Sequence, residues 1–244
     1  GIGTVEVKRR LRVGFFSTGD ELRSIGENLD DGCVYDSNRY TLFGMLSRLG
    51  VELHDFGVVR DESAAMRAAF SKAASICDAV ITSGGVSVGE ADYTKQIMRE
   101  LGDVSFWKIA MRPGRPMAFG SIKGENHQAV LFGLPGNPVA VMVTFYQFVR
   151  NALLSMSGAT DVAPLLMQAK AAEAIRKRPG RTEFQRGLLS TDEAGTRTVR
   201  ITGAQGSGVL RSMSEADCFI VLEHDQDQIK AGDTVGVVLF EGLV

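Results

Sequence analysis

The sequence predicts an α/β domain of three layers, with helices on both faces of a mostly parallel sheet, followed by a small all-β, barrel-like domain. Three observations carry this reading. From about residue 11 to residue 157, short apolar runs alternate with stretches of helical spacing, as strand–helix units of a parallel sheet do. After Ser157-Gly158 the helical spacing stops, and short β-like runs separated by glycines and Asp-rich turns take over. Polar clusters recur where the strands of the first part end, which is where ligands sit in open α/β sheets.

Each element has its own justification. Residues 1–8 begin without an initiator Met or a signal-peptide pattern and run into Lys8-Arg9-Arg10. They are expected to be a linker from an N-terminal region that this chain lacks. The first domain is placed at 9–157. Residues 11–16 form its first strand. Asp36-Ser37-Asn38 offers N-cap chemistry for a helix that reaches Leu49 and stops at Gly50. Residues 51–59 are the second strand. Arg60-Asp61-Glu62-Ser63 caps a helix whose Met66, Ala69, Phe70, Ala73 and Ile76 recur at helical spacing. Ala79-Val80-Ile81 is the third strand, and residues 93–101 form a helix closed by Gly102. Residues 104–109 and 128–132 are further strands. Pro135-Gly136-Asn137-Pro138 is most economically a turn plus a helix start, with Pro138 near the first helical position; the long helix it opens runs from 139 to about 156. Trp107 and the Phe145-Tyr146-Phe148 cluster are assigned to the core. Asp161-Val162-Ala163-Pro164 reads as a linker, and the second domain is placed at 165–244. Its β-like runs are 168–175, 182–189, 198–201, 218–222 and 234–240, and no convincing helix falls among them.

Composition narrows the classes. At 244 residues, with 44% hydrophobic and 23% charged residues, the chain has ordinary globular values. A net charge of −2 provides no basic field for nucleic acid or anionic membranes. No apolar run approaches the roughly 20 residues that span a bilayer. Cys33, Cys77 and Cys218 lack disulfide or C-x-x-C spacing, and His54, His127 and His224 are scattered. A zinc site is not expected, and a reduced, cytoplasmic setting fits.

The most informative stretch is Thr82-Ser83-Gly84-Gly85-Val86-Ser87-Val88-Gly89-Glu90-Ala91-Asp92. Glycines and serines at a strand-to-helix turn free backbone N–H groups to face an anion. Glu90 and Asp92 would repel a bare phosphate but suit a phosphate–metal pair. Two other readings stand beside this one. Gly85-Val86-Ser87-Val88-Gly89 matches the G-x-S-x-G nucleophile elbow, with His127 or His224 as base, although Ser87 lies well past the strand end that an elbow requires. The loop can also be a plain flexible connection without a ligand.

Convergence favours the site. Glu21, Asp61 and Asp92 follow the first three strands and together could bind Mg²⁺, a hard cation that prefers oxygen. Arg112 and Arg115, flanked by Pro113, Gly114 and Pro116, could hold an oxyanion, and Lys108 could add a cation. Taken singly, Asp61 is equally a helix cap, Asp20 and Glu21 are solvated loop charges, Asp92 is a cap, and the arginines are surface decoration.

These residues in combination resemble a known family. Ser17-Thr18-Gly19-Asp20-Glu21-Leu22, Tyr35-Asp36-Ser37-Asn38, the 82–89 loop, Arg112-Pro113-Gly114-Arg115-Pro116 and Leu134-Pro135-Gly136-Asn137-Pro138 occur in order along the chain. Phe184-Gln185-Arg186-Gly187 and Gln205-Gly206-Ser207 follow in the β-rich part. Together they are similar to the molybdopterin molybdenumtransferases, the bacterial MoeA family, and to the E domain of gephyrin. The resemblance implies a molybdopterin-binding α/β domain and a C-terminal β-barrel. It also implies the last step of molybdenum cofactor assembly: molybdate enters adenylylated molybdopterin and AMP leaves with the help of Mg²⁺. Glu21, Asp61 and Asp92 would be the catalytic and metal-holding acids. Ser83, Gly84, Gly85, Ser87, Gly89, Lys108, Arg112, Arg115, Pro116, Pro135, Gly136, Asn137 and Pro138 would meet the substrate. Arg186 and Ser207 would reach the same place from the second domain, of the same chain or of a dimer partner. The family also implies a homodimer of the full-length protein and a molybdopterin adenylyltransferase as a possible partner. Two departures stand out: Arg112 and Arg115 occupy places where relatives are expected to carry lysine, and the family's N-terminal dimerisation segments are missing. An adenylyltransferase of the same fold and a gephyrin-like scaffold remain the alternative functions.

Overall fold

The computed structural model describes residues 1–86 and 92–240, and of Asp92 and Tyr93 the backbone alone. The strands and helices in chain order are β1 (Arg12–Thr18), β2 (Leu22–Arg23), β3 (Val34–Tyr35), α1 (Ser37–Arg48), β4 (Glu52–Val59), α2 (Ser63–Ile76), β5 (Ala79–Ser83) and α3 (Asp92–Leu101). They continue with β6 (Gly102–Lys108), β7 (Met111–Arg112), β8 (Pro116–Lys123), β9 (Gln128–Leu134), α4 (Pro138–Thr144) and α5 (Arg150–Met156). A π-helical turn, Phe145–Val149, joins α4 to α5. The C-terminal part holds β10 (Met167–Ala171), β11 (Thr182–Thr191), β12 (Arg197–Ile201), α6 (Arg211–Ser214), β13 (Cys218–Leu222) and β14 (Thr234–Leu239).

The first sheet has the order β4-β1-β5-β9-β8-β6. Its first four strands are mutually parallel, and β8 runs against both β9 and β6. Alternation along β1 explains the layering. Val13 and Phe15 face one apolar cluster with α1, α4 and α5, whereas Phe16 faces the other with α2 and α3. Asp36 caps α1 as expected, its Oδ1 accepting the Arg39 N–H at 3.1 Å. Leu49 is the C-cap, and Gly50 follows at φ +68°. In α2 the N-cap residue is Glu62, without a side-chain cap bond.

Several expectations are corrected. Strand β8 is absent from the sequence reading, and so are the short β2, β3 and β7. Trp107 is not core: β6 is the edge strand, and the indole is 58% exposed. The second domain contains one helical turn, α6. The helical stretch Pro138–Met156 is long and apolar enough to cross a membrane by length and composition. Half of it is buried, and it packs on α1 and β9, as a core helix does.

In the second domain β12-β10-β14-β13-β11 close on themselves through the β12–β11 pairing, around a core that includes Val199, Ile220, Leu222 and Val237. Two residues of the first domain extend this barrel: β7 pairs in parallel with β11, Met111 opposite Thr182 and Arg112 opposite Glu183. Phe219 and Phe240 of the barrel pack with Tyr146 of the π turn. The barrel is thus docked on the carboxyl-edge loops by strand pairing and by aromatic burial.

Candidate functional site

Two cavities open side by side at the carboxyl edge of the first sheet. The first, about 340 Å³, is lined by Thr18, Gly19, Glu21, Leu22, Asn38, Asp61, Ser83, Gly84, Gly85, Gly136 and Asn137. The second, about 360 Å³, is lined by Met111, Arg112, Pro113, Gly114, Arg115, Pro116, Pro135, Asn137, Ala140, Arg181 and Ser207. Each is near the lower limit of roughly 300–1,000 Å³ for small-molecule sites, so an extended guest would need both.

The first cavity is built by strand ends. Ser17 and Ser83, neighbours on β1 and β5, share a buried hydroxyl bond of 2.8 Å. Gly84 turns at φ +94°, and a Cβ there would stand 2.6 Å from the Thr18 carbonyl oxygen. Its N–H donates to the Leu134 carbonyl at 3.1 Å, so this glycine ties β5 to β9 and does not present its N–H to an anion. The Glu21 carboxylate folds back over Gly19, where an added Cβ would come within 2.8 Å of both its oxygens. The Asp61 N–H donates to Asp20 Oδ1 at 3.1 Å, which brings the loop after β4 to the loop after β1.

Asn38 projects from the first turn of α1 and was missed as a site residue because its neighbours announce a helix cap. Its Nδ2 donates to the Gly136 carbonyl at 2.7 Å, which fixes the amide orientation, and its buried Oδ1 has no partner among the described residues. Two carboxylates and an orphaned amide oxygen around one cavity are the donor chemistry of a hard cation. Among the described residues no three His, Cys, Asp or Glu side chains group closely enough to hold a metal. The side chain of Asp92 lies outside the described residues, as do Ser87, Val88, Gly89 and Glu90.

The second cavity is cationic. Arg112 and Arg115 are exposed, and Arg181 joins them from the barrel. The Arg181 guanidinium is fixed by Glu183, 3% exposed, with Nε to Oε1 at 2.8 Å. Nothing in the sequence marked Arg181, because its proximity depends on the two-residue pairing of β7 with β11. Ser207 of the same chain lines this cavity, and its carbonyl accepts the Val139 N–H at 3.0 Å.

Among the described residues, three expected ones line neither cavity. Lys108 is exposed at the end of β6, and Pro138 is half-buried at the first position of α4. Arg186 is 1% exposed beneath the loop that carries Ser207. Its Nε donates to Ser212 Oγ at 3.0 Å and its Nη2 to the Gly206 carbonyl at 3.1 Å. Burial, with Arg112 adding repulsion, pushes its pKa down to about 10. Arg186 is therefore placed to shape the loop from behind.

For the elbow reading, His127 bonds the Cys77 carbonyl at 2.9 Å and neither His127 nor His224 lines either cavity, while Ser87 lies outside the described residues.

The strand-end loops of this α/β domain thus gather acids around one cavity and guanidinium groups around the next, with a barrel completing the second. A profile described as "Probable molybdopterin binding domain" matches residues 14–155, and one described as "MoeA C-terminal region (domain IV)" matches 168–240. The chain belongs to the molybdopterin-binding domain family, in its MoeA branch. It is 44% identical over 245 residues to the molybdopterin molybdenumtransferase of Haemophilus influenzae, covering 100% of this chain and 60% of that protein. The protein of the same name from a Nostoc species is 34% identical, with 96% of this chain and 54% of that one covered. Among solved structures, a molybdopterin biosynthesis MoeA protein from Pyrococcus horikosii superposes with a TM-score of 0.77 at 31% identity, covering 96% of this chain and 55% of that one. The chain thus spans a little over half the length of these relatives. The family and the fold class expected from the sequence are borne out.

Proposed function

We propose that this chain is the catalytic C-terminal part of a molybdopterin molybdenumtransferase, which inserts molybdate into adenylylated molybdopterin and releases AMP. The observation that carries the reading is the pair of adjoining cavities of opposite chemistry that meet at Asn137. An adenylylated pterin holds a phosphoanhydride between two bulky ends, and molybdate is a dianion. One guest needs its phosphate charge offset, and the other needs cationic forks.

In this reading Glu21 and Asp61, with Asp92, hold Mg²⁺, and Asn38 Oδ1 supplies a further oxygen; the ion would offset charge on the cleaved phosphoanhydride. Arg112, Arg115 and Arg181 hold molybdate or the pterin phosphate by charge-assisted hydrogen bonds. Ser83, Gly84, Gly85, Pro116, Pro135 and Gly136 keep the backbone close to the guest, Pro138 only starts α4, and Ser87 and Gly89 are assigned to the substrate by the family likeness alone. Arg186 acts through the 205–212 loop, and Lys108 contributes to the field only. The reaction needs no protein nucleophile: a water oxygen bonds to the adenylyl phosphorus, its proton passes to solvent, the bridging P–O bond breaks with its electron pair left on the pterin phosphate, and AMP departs. Where a molybdate oxygen attacks instead, the adenylyl molybdate formed is cleaved by water to release AMP; in either route the two dithiolene thiols displace one molybdate oxygen, which leaves as water with their two protons. A cytoplasmic homodimer of the longer protein, receiving substrate from a molybdopterin adenylyltransferase, completes the proposal.

The test is AMP release from adenylylated molybdopterin by the full-length protein, with and without molybdate. Asp61→Asn is expected to abolish release with the fold intact. Arg115→Ala is expected to raise the molybdate concentration needed by about tenfold, the loss of roughly one charge-assisted bond. Release that is absent in the parent, or unchanged in both variants, would refute the assignment.

A further inference from the structure

We infer that Asn137 bridges the occupants of the two cavities and couples their binding, a reading that rests on the proposed function. Among the described residues it is the one side chain that lines both cavities. It stands at the N-cap of α4, where an asparagine amide ordinarily accepts the N–H of the second or third helical residue. Here it makes no such bond. The barrel does that work in its place: the Ser207 carbonyl accepts the N–H of Val139, the second residue of α4, at 3.0 Å. With the cap supplied from another domain, the exposed amide keeps two donor hydrogens and an acceptor oxygen uncommitted at the seam.

Room is left beside it as well. A Cβ on Gly208, next to Ser207, would come no nearer to Asn137 Oδ1 than 4.0 Å. A neutral carboxamide suits the position because the two sides carry opposite charge. It donates to an oxyanion held by Arg115 and accepts from water or hydroxyl on a guest beside Asp61, and it repels neither. An acid would oppose the anion, and a lysine would oppose the cation.

The experiment is calorimetric titration of the full-length protein with AMP plus Mg²⁺, with molybdate, and with each in the presence of the other. In the parent protein each ligand strengthens the other by about five- to tenfold, the lower part of the usual range for coupled sites. In Asn137→Ala the coupling falls below about twofold, and each ligand alone weakens by up to about tenfold, the loss of one hydrogen bond. Asn137→Asp keeps equivalent capping chemistry and the melting temperature, but sets a carboxylate against the anion and weakens molybdate by about tenfold or more. A residue serving only to start α4 would leave the coupling between the two ligands unchanged in Asn137→Ala. Coupling that survives Asn137→Ala, or that is absent from a parent protein binding both ligands, overturns the bridge alone. A parent protein that binds neither AMP nor molybdate overturns the functional reading and the bridge with it.

Discussion

Gly84→Ala separates what the glycine loop does for the fold from what it does for the site. At φ +94° a non-glycine residue carries a backbone cost of about 1–3 kcal/mol. Its Cβ would also stand 2.6 Å from the Thr18 carbonyl oxygen and 2.8 Å from Thr18 Oγ1. Backbone cannot yield as a side-chain tip can, so the loop must shift. That shift loses the bond from the Gly84 N–H to the Leu134 carbonyl, worth about 0.5–1.5 kcal/mol. The sum is roughly 2–4 kcal/mol, or a fall in Tm of about 4–16 °C for a chain of this size. Gly180→Ala is the control, since Gly180 has φ +89° but nothing within 4 Å of an added Cβ. It carries the backbone term only and lines neither cavity; its neighbour Arg181 belongs to the second, whereas the assay reads the first. Differential scanning fluorimetry with calorimetric titration of AMP and Mg²⁺ is the assay. We expect Gly84→Ala to melt lower than Gly180→Ala and to lose AMP affinity by at least about tenfold, while Gly180→Ala binds normally. Two variants that melt and bind alike would show that the Thr18 contact is irrelevant.

Other predictions follow from groups outside the cavities. Asp78 receives two bonds from Arg9, at 2.6 and 2.7 Å, and the Arg12 N–H at 2.8 Å. Arg9 above all, with Arg12, holds its carboxyl well below the ordinary range, although burial opposes this. A depressed carboxylate contributes stability above its unfolded pKa near 4 and loses it as pH falls through the lower folded value. Urea titrations should therefore show Asp78→Asn less stable than the parent at pH 7, with the gap closing below about pH 4; a gap independent of pH would contradict the linkage. Lys177, 4% exposed, donates to the carbonyls of Arg178, His224 and Gln226 at 3.1, 3.1 and 2.8 Å. Lys177→Met should cost about 2–4 kcal/mol in thermal unfolding, leaving molybdate affinity intact; an unchanged Tm would show the clamp to be slack.

Much of this was legible in the sequence because local chemistry and tertiary structure agree there. Asp36 caps α1, Gly50 follows the end of that helix, and Glu21, Asp61 and Ser83 meet in one cavity because parallel strands place their following loops on one edge. The misses have physical causes. Strand β8 buries Met117 and Ala118 in succession and exposes Phe119, so its pattern lacks the clean period of two. Trp107, expected in the core, is exposed because its strand lies at the edge of the sheet. Asn38 was hidden by the capping signal around it. Arg181 and the burial of Arg186 depend on how the barrel docks, which no local pattern encodes.

That docking has a consequence for anyone exchanging parts between relatives. The short β7 belongs to one domain by chain order and to the other by hydrogen bonding, while Ser207 caps a helix it does not belong to. A graft cut at residues 158–166 would leave β11 without its companion strand and α4 with a bare donor at its start. Functional chimeras should therefore need the 111–116 segment to travel with the barrel, as if the seam ran through the site and not through the tether.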